Sequence, residues 1–377
     1  MPHPSHNEAP INSYPAWSPR FWHGMRTWDW WKLITRNGFR ISPRRLPIAC
    51  GVSLFTPCND LLALIQSSLY GKQIAKTEIS RAPVFVLGHW RSGTTFLHEL
   101  LVTDPQFASP TTYQCFAPWH FLLTQKPMIR MGGFLLPEKR PMDNMSAGWE
   151  LPQEDEFALM NLGVPSTYLR IAFPQTEPQR LEYLELQPLS EQELAAWRNR
   201  FRNFLQCLTF HYSGKQLVLK SPPHTGRLRE LIRMFPNAKF IHLTRDPRQL
   251  FSSTVRLWRS LDEVQGLHAT LPEEELQEYV LTCLERMYAA FQRDRPTISS
   301  SQIVDLRYED LVAEPMEKMQ WIYETLDLGD FEALRPGLTE RLTGHAGYRP
   351  NRHILEAELE DTIRRRWNSY FEAYGYE

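Results

Sequence analysis

The chain has 377 residues, of which 43 are acidic and 42 are basic, so its formal net charge at pH 7 is −1. A composition with 42% hydrophobic and 23% charged residues is typical of a globular protein and excludes a disordered or fibrous one. The balanced charge also excludes a protein that coats nucleic acid, because such a protein needs a basic surface to displace counterions. An odd number of cysteines, five, without metal-ligand spacing fits a reducing compartment better than a disulfide framework.

Residues 1–80 are predicted to form an N-terminal arm and a helical extension ahead of the main domain. Within it, residues 14–45 hold five of the twelve tryptophans, alternating with arginines. We expect these rings to pack on the main domain, and peripheral contact with a membrane or a lipid substrate is the alternative. The apolar run from Leu46 to Cys58 contains two prolines and is shorter than the ~20 residues of a spanning helix. Since residues 1–17 also lack the pattern of a signal peptide, we expect a cytoplasmic protein without a transmembrane segment.

The main domain, residues 81–377, is predicted to alternate strands and helices. Short apolar runs that predict buried strands occur at 83–88, 217–220, 239–244 and 303–306. Helical spacing of apolar residues separates them and is clearest at 94–102, 276–291, 315–326 and 355–374. This alternation predicts an α/β fold with a P-loop-type central parallel sheet that is flanked by helices on both faces.

A phosphate-loop pattern follows the first predicted strand. Gly88 and Gly93 have the G-x-x-x-x-G spacing that lets backbone N–H groups surround an anion, and a helix begins near Thr94. Thr94 stands where an ATPase carries lysine, and Arg91 supplies the positive charge instead. The loss of that lysine indicates an anion that ends at the β position and needs no metal. The alternative is a glycine-rich turn that binds nothing.

A second anion site is predicted at the end of the strand at 239–244. Arg245 follows that strand directly, where open α/β sheets bind their ligands, and Ser253 lies about two helical turns further on. Residues 220–259 carry nine basic and two acidic side chains, a local charge of +7. The alternative role of Arg245 is an ion pair with Asp246. The other arginines of this stretch that we expect to be surface charges are Arg227, Arg229, Arg233, Arg248 and Arg259.

Together these motifs resemble a known enzyme family. The segments PVFVLGHWRSGTTFLHELL, LVLKSPPHTGRL, FPNAKFIHLTRDPRQLFSS and LRYEDLVAEP are similar to those of sulfotransferases that use 3′-phosphoadenosine 5′-phosphosulfate (PAPS). The likeness is greatest to the bacterial branch related to tyrosylprotein and carbohydrate sulfotransferases. It implies PAPS as co-substrate, no metal, and a 5′-phosphosulfate held by Arg91, Ser92, Gly93, Thr94 and Thr95. It also implies that Arg245 and Ser253 hold the 3′-phosphate.

The catalytic residues follow partly from the resemblance. Lys220 matches the lysine that family members direct at the sulfuryl group or the bridging oxygen, and Arg91 is the second catalytic cation. The histidine that cytosolic members use as base is replaced by Pro222, and His224 follows two residues later. We therefore expect the base to be Glu154, in a run of three carboxylates whose crowding would raise at least one pKa. The alternative is that these acids only favour the first turn of a helix.

Several assignments stay open at the level of sequence. Arg349, in the basic segment at 345–353, is expected to contact the 3′-phosphate or to close over the nucleotide. The acceptor is a hydroxyl or amine of a small molecule, a lipid or a carbohydrate, and nothing in the sequence defines the oligomeric state. The competing functions are a P-loop nucleotide kinase and a non-catalytic nucleotide-binding protein. Thr94 in place of lysine counts against the kinase, and the joint presence of Arg91, Lys220, Arg245 and Ser253 counts against the binding protein.

Overall fold

A parallel sheet forms the centre of the computed structural model, which describes residues 14–15, 17–140, 146–175, 181–345 and 355–377. Its five strands are ordered β2-β3-β1-β4-β5. The strands are β1 (Val84–Leu87), β2 (Phe107–Ala108), β3 (Gln216–Lys220), β4 (Lys239–Thr244) and β5 (Ile303–Arg307). All of the strand pairs are parallel, so that the carboxyl ends of β3, β1 and β4 meet at one edge of the sheet. The predicted fold class is confirmed.

Helices cover the sheet and extend it at both ends of the chain. In the N-terminal half of the described residues they are α1 (Thr27–Arg36), α2 (Leu46–Lys76), α3 (Thr94–Leu101), α4 (Thr112–Phe116), α5 (Phe121–Met131), α6 (Asp155–Asn161) and α7 (Glu191–His211). In the C-terminal half they are α8 (Leu228–Met234), α9 (Pro247–Gln265), α10 (Glu273–Asp294), α11 (Tyr308–Ala313), α12 (Pro315–Leu326), α13 (Phe331–His345), α14 (Ala357–Arg366) and α15 (Asn368–Tyr374). Short 3-10 helices join them at Phe21–Gly24, Pro43–Arg45, Gly133–Leu135, Thr167–Ile171, Leu181–Tyr183, Pro222–Arg227 and Arg295–Thr297.

The four strands expected from apolar runs form where the runs stand. Every residue of β1 is buried, because helices pack on both faces of the sheet. The helix expected at 355–374 is divided at Trp367, which is buried and donates its indole N–H to the carbonyl of Leu281. The strand β2 has only two residues, too few for a period-2 pattern to appear in the sequence.

The helix α2 corrects the expectation that no segment is long enough to span a membrane. Both prolines of the apolar run lie inside helical structure, and the helix continues for 31 residues. Among the described residues, the helical segment Pro43–Lys76 is the one that is long and apolar enough to cross a membrane by its length and composition. The apolar run read from the sequence ends at Cys58, just before Asp60. The helix continues past Asp60, which is the one charged residue between Leu46 and Gly71.

The tryptophans of the N-terminal segment divide between the core and the surface. Trp22 and Trp30 are buried in the apolar core that also contains the side chains on one face of the sheet. This is expected for an arm that packs on the main domain. Trp30 donates its indole N–H to Ser53 of α2 over 2.8 Å. Trp17, Trp28 and Trp31 remain exposed, so packing on the domain accounts for only part of the segment.

Candidate active site

The predicted phosphate loop joins β1 to α3, and its conformation requires glycine at both ends. Gly88 has φ +144°, and a Cβ atom there would lie 2.5 Å from the carbonyl oxygen of Leu243. Gly93 has φ +96°, and a Cβ atom there would lie 2.2 Å from the ring of Tyr308. Arg91 also has a positive φ, +69°, which is rare for a residue with a side chain. The loop is thus held in a strained turn that leads into the N-terminus of α3.

Two of the predicted anion-binding regions meet at Arg91. Its Nε donates to the hydroxyl of Ser253 over 2.9 Å, and its carbonyl oxygen accepts from Nη1 of Arg245 over 2.8 Å. Ser253 lies on α9, as its spacing from β4 predicts. Asp246 does not pair with Arg245, because it accepts from the backbone N–H and guanidinium of Arg248 instead. The guanidinium of Arg245 stacks on the ring of Tyr308, with 4.7 Å between the guanidinium carbon and the ring centre.

A third cluster stands at the end of β3. The ammonium of Lys220 lies 2.7 Å from Oε1 of Glu154 and 3.3 Å from the hydroxyl of Thr95, which belongs to the first turn of α3. The other carboxylate oxygen of Glu154 accepts a short hydrogen bond from the hydroxyl of Tyr168. Tyr168 in turn accepts from the indole N–H of Trp90 over 2.8 Å. The structure therefore brings the predicted base next to the predicted catalytic lysine and to the phosphate loop.

The three consecutive carboxylates have separate partners on one segment of chain. Glu154 pairs with Lys220, Asp155 with Nε2 of His224 at 2.6 Å, and Glu156 with both guanidinium nitrogens of Arg227, one of them at 3.0 Å. The partners of the three acids stand in the same chain order as the acids, beginning with Lys220 at the last residue of β3, and are four and three residues apart.

Asp155 does not show the rise in pKa that crowding of the three carboxylates predicts. Burial alone would raise the pKa of Asp155, but the charge of His224 and the hydrogen bonds from His224 and Ser221 outweigh it, so the pKa is lowered. Glu154 is the residue at the N-cap of α6, and its side chain makes no capping hydrogen bond. The first-turn explanation thus fits Asp155 and Glu156, which lie inside the helix, and leaves the side chain of Glu154 facing Lys220.

Some basic residues have roles other than those expected from the sequence. Arg227 is not a surface charge, because it is buried with Glu156 and also donates to the carbonyl of Tyr183 over 2.7 Å. His224 is buried between the rings of Phe85 and Phe201. Carboxylates pair with five of the basic residues in the stretch at 220–259, namely Lys220, Arg227, Arg229, Arg248 and Arg259. Arg349 lies outside the described residues.

A cavity of about 510 Å³ connects these groups. Its polar wall contains Arg91, Gly93, Thr94 and Thr95 of the phosphate loop together with Glu154, Tyr168 and Arg245. Its apolar wall is built from several elements and includes Phe21, Phe116, Leu136, Leu151, Phe157, Leu257, Trp258 and Leu261. Lys220 and Ser253 lie behind the polar wall. Lys220 contacts Thr95 and Glu154, and Ser253 contacts Arg91. A molecule in this cavity would meet the anion-binding loop and a carboxylate at once.

Two residues of the site were not found from the sequence. Tyr308 begins α11 directly after β5, so the rule that ligands bind at the carboxyl ends of parallel strands could have indicated it. Tyr168 stands in the 3-10 helix Thr167–Ile171, fourteen residues after Glu154, and no local pattern marks it. Its position depends on the packing of Trp90, Phe157 and Trp258 around its ring.

The fold is α/β, with a strained loop and an ion pair of Lys220 and Glu154 beside one cavity, and the comparisons with known proteins identify the class of enzyme. The model of the sulfotransferase family matches residues 83–332. The chain belongs to the sulfotransferase family and is a sulfotransferase. The expected family membership, activity and enzyme class are therefore confirmed.

Curated relatives come from mycobacteria. The omega-hydroxy-beta-dihydromenaquinone-9 sulfotransferases Stf3 of Mycobacterium bovis (strain ATCC BAA-935 / AF2122/97) and Mycobacterium tuberculosis (strain CDC 1551 / Oshkosh) are each 36% identical to this chain. Each alignment covers 97% of this chain and 94% of the relative.

Solved structures show the same fold. Sulfotransferase STF9 from Mycobacterium avium has a TM-score of 0.69 at 18% identity, covering 94% of this chain and 97% of its own. Sulfotransferase STF1 from Mycobacterium tuberculosis H37Rv has a TM-score of 0.63 at 17% identity, covering 92% and 94%.

Proposed function

We propose that this sulfotransferase moves the sulfuryl group of PAPS to a hydroxyl group at the end of an apolar lipid. The observation that carries the proposal is the single cavity in which the phosphate loop, Glu154 and Arg245 face an apolar wall. An amine, a small polar molecule or a sugar as acceptor finds less support in this wall. The alternatives, a P-loop nucleotide kinase and a non-catalytic nucleotide-binding protein, find less support because the chain belongs to the sulfotransferase family.

The donor would be held by two groups of residues. We assign the 5′-phosphosulfate to Arg91, Ser92, Gly93, Thr94 and Thr95, and the 3′-phosphate to Arg245 and Ser253. The strained loop supports the first assignment, because a turn with positive φ angles at Arg91 and Gly93 that leads into a helix N-terminus is typical of backbone that surrounds an anion. The second is supported by Arg245, whose guanidinium contacts a carbonyl oxygen and an aromatic ring but pairs with no carboxylate among the described residues. Arg349 stays a prediction for the same phosphate.

The reaction needs a base for the acceptor and a cation for the leaving group. The donor supplies a sulfuryl group whose S–O bond to the phosphate breaks as the bond to the acceptor oxygen forms. Glu154 accepts the proton of the acceptor hydroxyl, and its position on the cavity wall supports this role. Lys220, 2.7 Å from that carboxylate and beside Thr95, neutralises the negative charge that develops on the leaving phosphate oxygen. Arg91 stabilises the sulfonyl oxygens.

The acceptor follows from the cavity and from the relatives. The cavity of about 510 Å³ also has to take the reacting end of the donor, so it would enclose only the hydroxylated end of a long lipid and leave the remainder outside. The names of the curated relatives state a hydroxylated dihydromenaquinone as acceptor. We infer a hydroxylated isoprenoid quinone or a lipid of similar shape for this chain.

The domain boundary and the location remain predictions. We retain an N-terminal extension at 1–80 and a sulfotransferase domain at 81–377, since the family match begins at residue 83. We also retain the cytoplasm as the location, because all five cysteines are free thiols, as in a reducing compartment. Fractionation of cells that make this protein would test the location.

The donor assignment is tested by ligand-induced stabilisation. Adenosine 3′,5′-bisphosphate should raise the unfolding temperature far more than ATP with Mg²⁺, since only the former carries a 3′-phosphate. At a hundred-fold excess over its Kd, a ligand stabilises the folded state by about 2.7 kcal/mol. Equal shifts, or a larger shift with ATP and Mg²⁺, would contradict the assignment and favour the kinase.

A further inference from the structure

The helix α2 is apolar on the outside and partly polar on the inside. The residues that face the protein form one narrow seam, at intervals of three or four positions up to residue 66. Its buried members are Ala49, Val52, Thr56, Asn59, Ala63, Gln66 and Ile74. The exposed large apolar residues of this helix are Leu46, Leu54, Phe55, Leu61, Leu64, Ile65 and Leu69. A surface helix of a soluble protein shows the opposite arrangement.

The inner seam fixes α2 along the side of the protein. Asn59 donates to the carbonyls of His23 and Met25 over 2.8 and 2.9 Å, and its side-chain oxygen lies 3.2 Å from Nε2 of His120. The side-chain oxygen of Gln66 accepts from the N–H of Leu122 over 2.9 Å. Because these bonds attach one flank of the helix to the folded domain, α2 lies along the domain and does not stand free to span a bilayer.

The outer face has its greatest exposure at Leu54, which is 80% exposed. Leu61 and Ile65 follow at intervals of seven and four residues, so they lie on the same side of the helix. Among the described residues, eleven of the sixteen exposed large apolar side chains lie between residues 17 and 69. This concentration is much greater than the scattered apolar residues of an ordinary soluble surface.

The segment of chain that carries this face is mainly basic. Residues 26–76 contain eight basic and two acidic side chains, which gives +6. One of the two acids, Asp60, is paired with Arg26. Lys72 and Lys76 extend the row of Leu54, Leu61 and Ile65 at the C-terminal end of α2, and Arg44 and Arg45 precede its first turn. Long basic side chains at the ends of an apolar face suit a helix in the headgroup region of anionic lipids.

We propose that the outer face of α2 docks this protein on the surface of an anionic lipid bilayer, parallel to the membrane plane. The apolar side chains enter the boundary between headgroups and acyl chains, and the lysines and arginines contact the lipid phosphates. The proposal is independent of sulfuryl transfer, because membrane binding is measured without donor or acceptor. It would bring the active site to the membrane in which an apolar acceptor is dissolved.

The test is flotation of the full-length protein with vesicles. Vesicles of phosphatidylcholine mixed with phosphatidylglycerol should carry the protein upward, pure phosphatidylcholine should carry less, and added salt should weaken the binding. The variants Leu54→Glu and Leu61→Glu should each weaken binding by roughly ten-fold or more, since each removes the burial of one leucine. Trp321→Glu on α12 is the matched control, an exposed apolar residue outside this face, and should bind like the unaltered protein.

Circular dichroism and binding of adenosine 3′,5′-bisphosphate separate docking from folding. Both should be unchanged in the α2 variants, because the altered side chains are exposed. Failure of the unaltered protein to float with anionic vesicles overturns the proposal. So does a dimer that the α2 variants convert to a monomer without any change in flotation, since a second copy would then cover this face. Equal loss of binding in the Trp321→Glu variant overturns it as well.

Discussion

Glu154 differs from the two carboxylates that follow it in what surrounds it. Asp155 and Glu156 are fully buried, whereas the side chain of Glu154 retains 15% of its exposure and lines the cavity. Its carboxylate accepts hydrogen bonds from Lys220 and Tyr168. Lys220 also contacts Thr95, so the carboxylate and the ammonium both lie beside the phosphate loop. The geometry thus makes Glu154 the one member of the acidic run that an acceptor hydroxyl can reach.

The substitution Glu154→Gln should lower kcat and leave nucleotide affinity nearly unchanged. Loss of a general base typically costs about 10²–10⁴-fold in rate, and the amide keeps the shape of the side chain. Steady-state kinetics together with the Kd of adenosine 3′,5′-bisphosphate measure both effects. Glu99→Gln is the matched control, because Glu99 also lines the cavity but pairs with Arg341. Normal turnover in Glu154→Gln would assign the base to another residue.

Arg245 and Arg248 provide a matched pair for the 3′-phosphate. Arg245 lines the cavity, whereas Arg248 is occupied by Asp246 at 3.0 Å and by Glu360 at 3.5 Å. Arg245→Ala should weaken the binding of adenosine 3′,5′-bisphosphate by roughly 30–100-fold, the effect of losing a charge-assisted hydrogen bond to phosphate. Arg248→Ala should change it little. Calorimetric titration checks both variants, and unchanged affinity in Arg245→Ala would contradict the assignment.

Residues at strand ends were predictable, and residues brought in by tertiary packing were not. Lys220 and Arg245 end apolar runs that could be read directly as strands, so their meeting at one sheet edge followed from the parallel topology. Tyr168 comes from a 3-10 helix whose position depends on contacts far away in sequence. The partners of the three carboxylates were not predictable for the same reason, because they lie about 70 residues further along the chain.

At the scale of elements, β4 and β5 are joined by a polar contact as well as by their backbone ladder. Nδ1 of His242 lies 2.8 Å from one carboxylate oxygen of Asp305, and Arg295 pairs with the other at 2.8 Å. Burial alone would raise the pKa of Asp305, but the His242 hydrogen bond and the Arg295 ion pair lower it from 3.8 to about 2. The ionised form therefore stabilises the folded state.

This contact predicts a pH-dependent effect of Asp305→Asn. The stabilisation by ionised Asp305 is fully present above the ordinary pKa of 3.8 and is lost as the pH falls through about 2. The variant should thus unfold about 2 °C lower than the unaltered protein at pH 7, since the pair is partly exposed. The difference should shrink below about pH 4. Thermal unfolding across this pH range measures the difference in unfolding temperature between the variant and the unaltered protein. Asp310→Asn, at an exposed position on α11, is the control. A difference in unfolding temperature that grows on acidification would contradict the account.

The helices show where local pattern is sufficient and where it is not. The segment Pro315–Leu326 forms α12 as its apolar spacing indicates. The segment of α2 has no such spacing, because its outer face is as apolar as a core and its inner seam contains Thr56, Asn59 and Gln66. Its two prolines also suggested interruption, although one stands in the first turn, where proline is tolerated. A helix whose exposed face is apolar is therefore poorly recognised by rules for soluble proteins.

For the whole molecule, the net charge of −1 is an average over regions of opposite sign. The basic stretch at 220–259 is partly compensated in the fold. Arg245 lines the cavity, and carboxylates from several elements pair with Lys220, Arg227, Arg229, Arg248 and Arg259. The segment 26–76, which contains α2, carries a basic excess. The two basic segments thus correspond to the two proposed binding sites, the cavity for the nucleotide and the outer face of α2 for an anionic membrane.

Sulfuryl transfer to a lipid hydroxyl is the central claim, and one assay tests it most directly. The purified protein is incubated with PAPS carrying radiolabelled sulfate and a dihydromenaquinone hydroxylated at the end of its side chain, and the extracted lipid is analysed. We predict label in the hydroxylated lipid, none in the same lipid without the hydroxyl, and strongly reduced label with Glu154→Gln. Absence of label from the hydroxylated lipid, with transfer to a water-soluble sugar or phenol instead, would contradict the account.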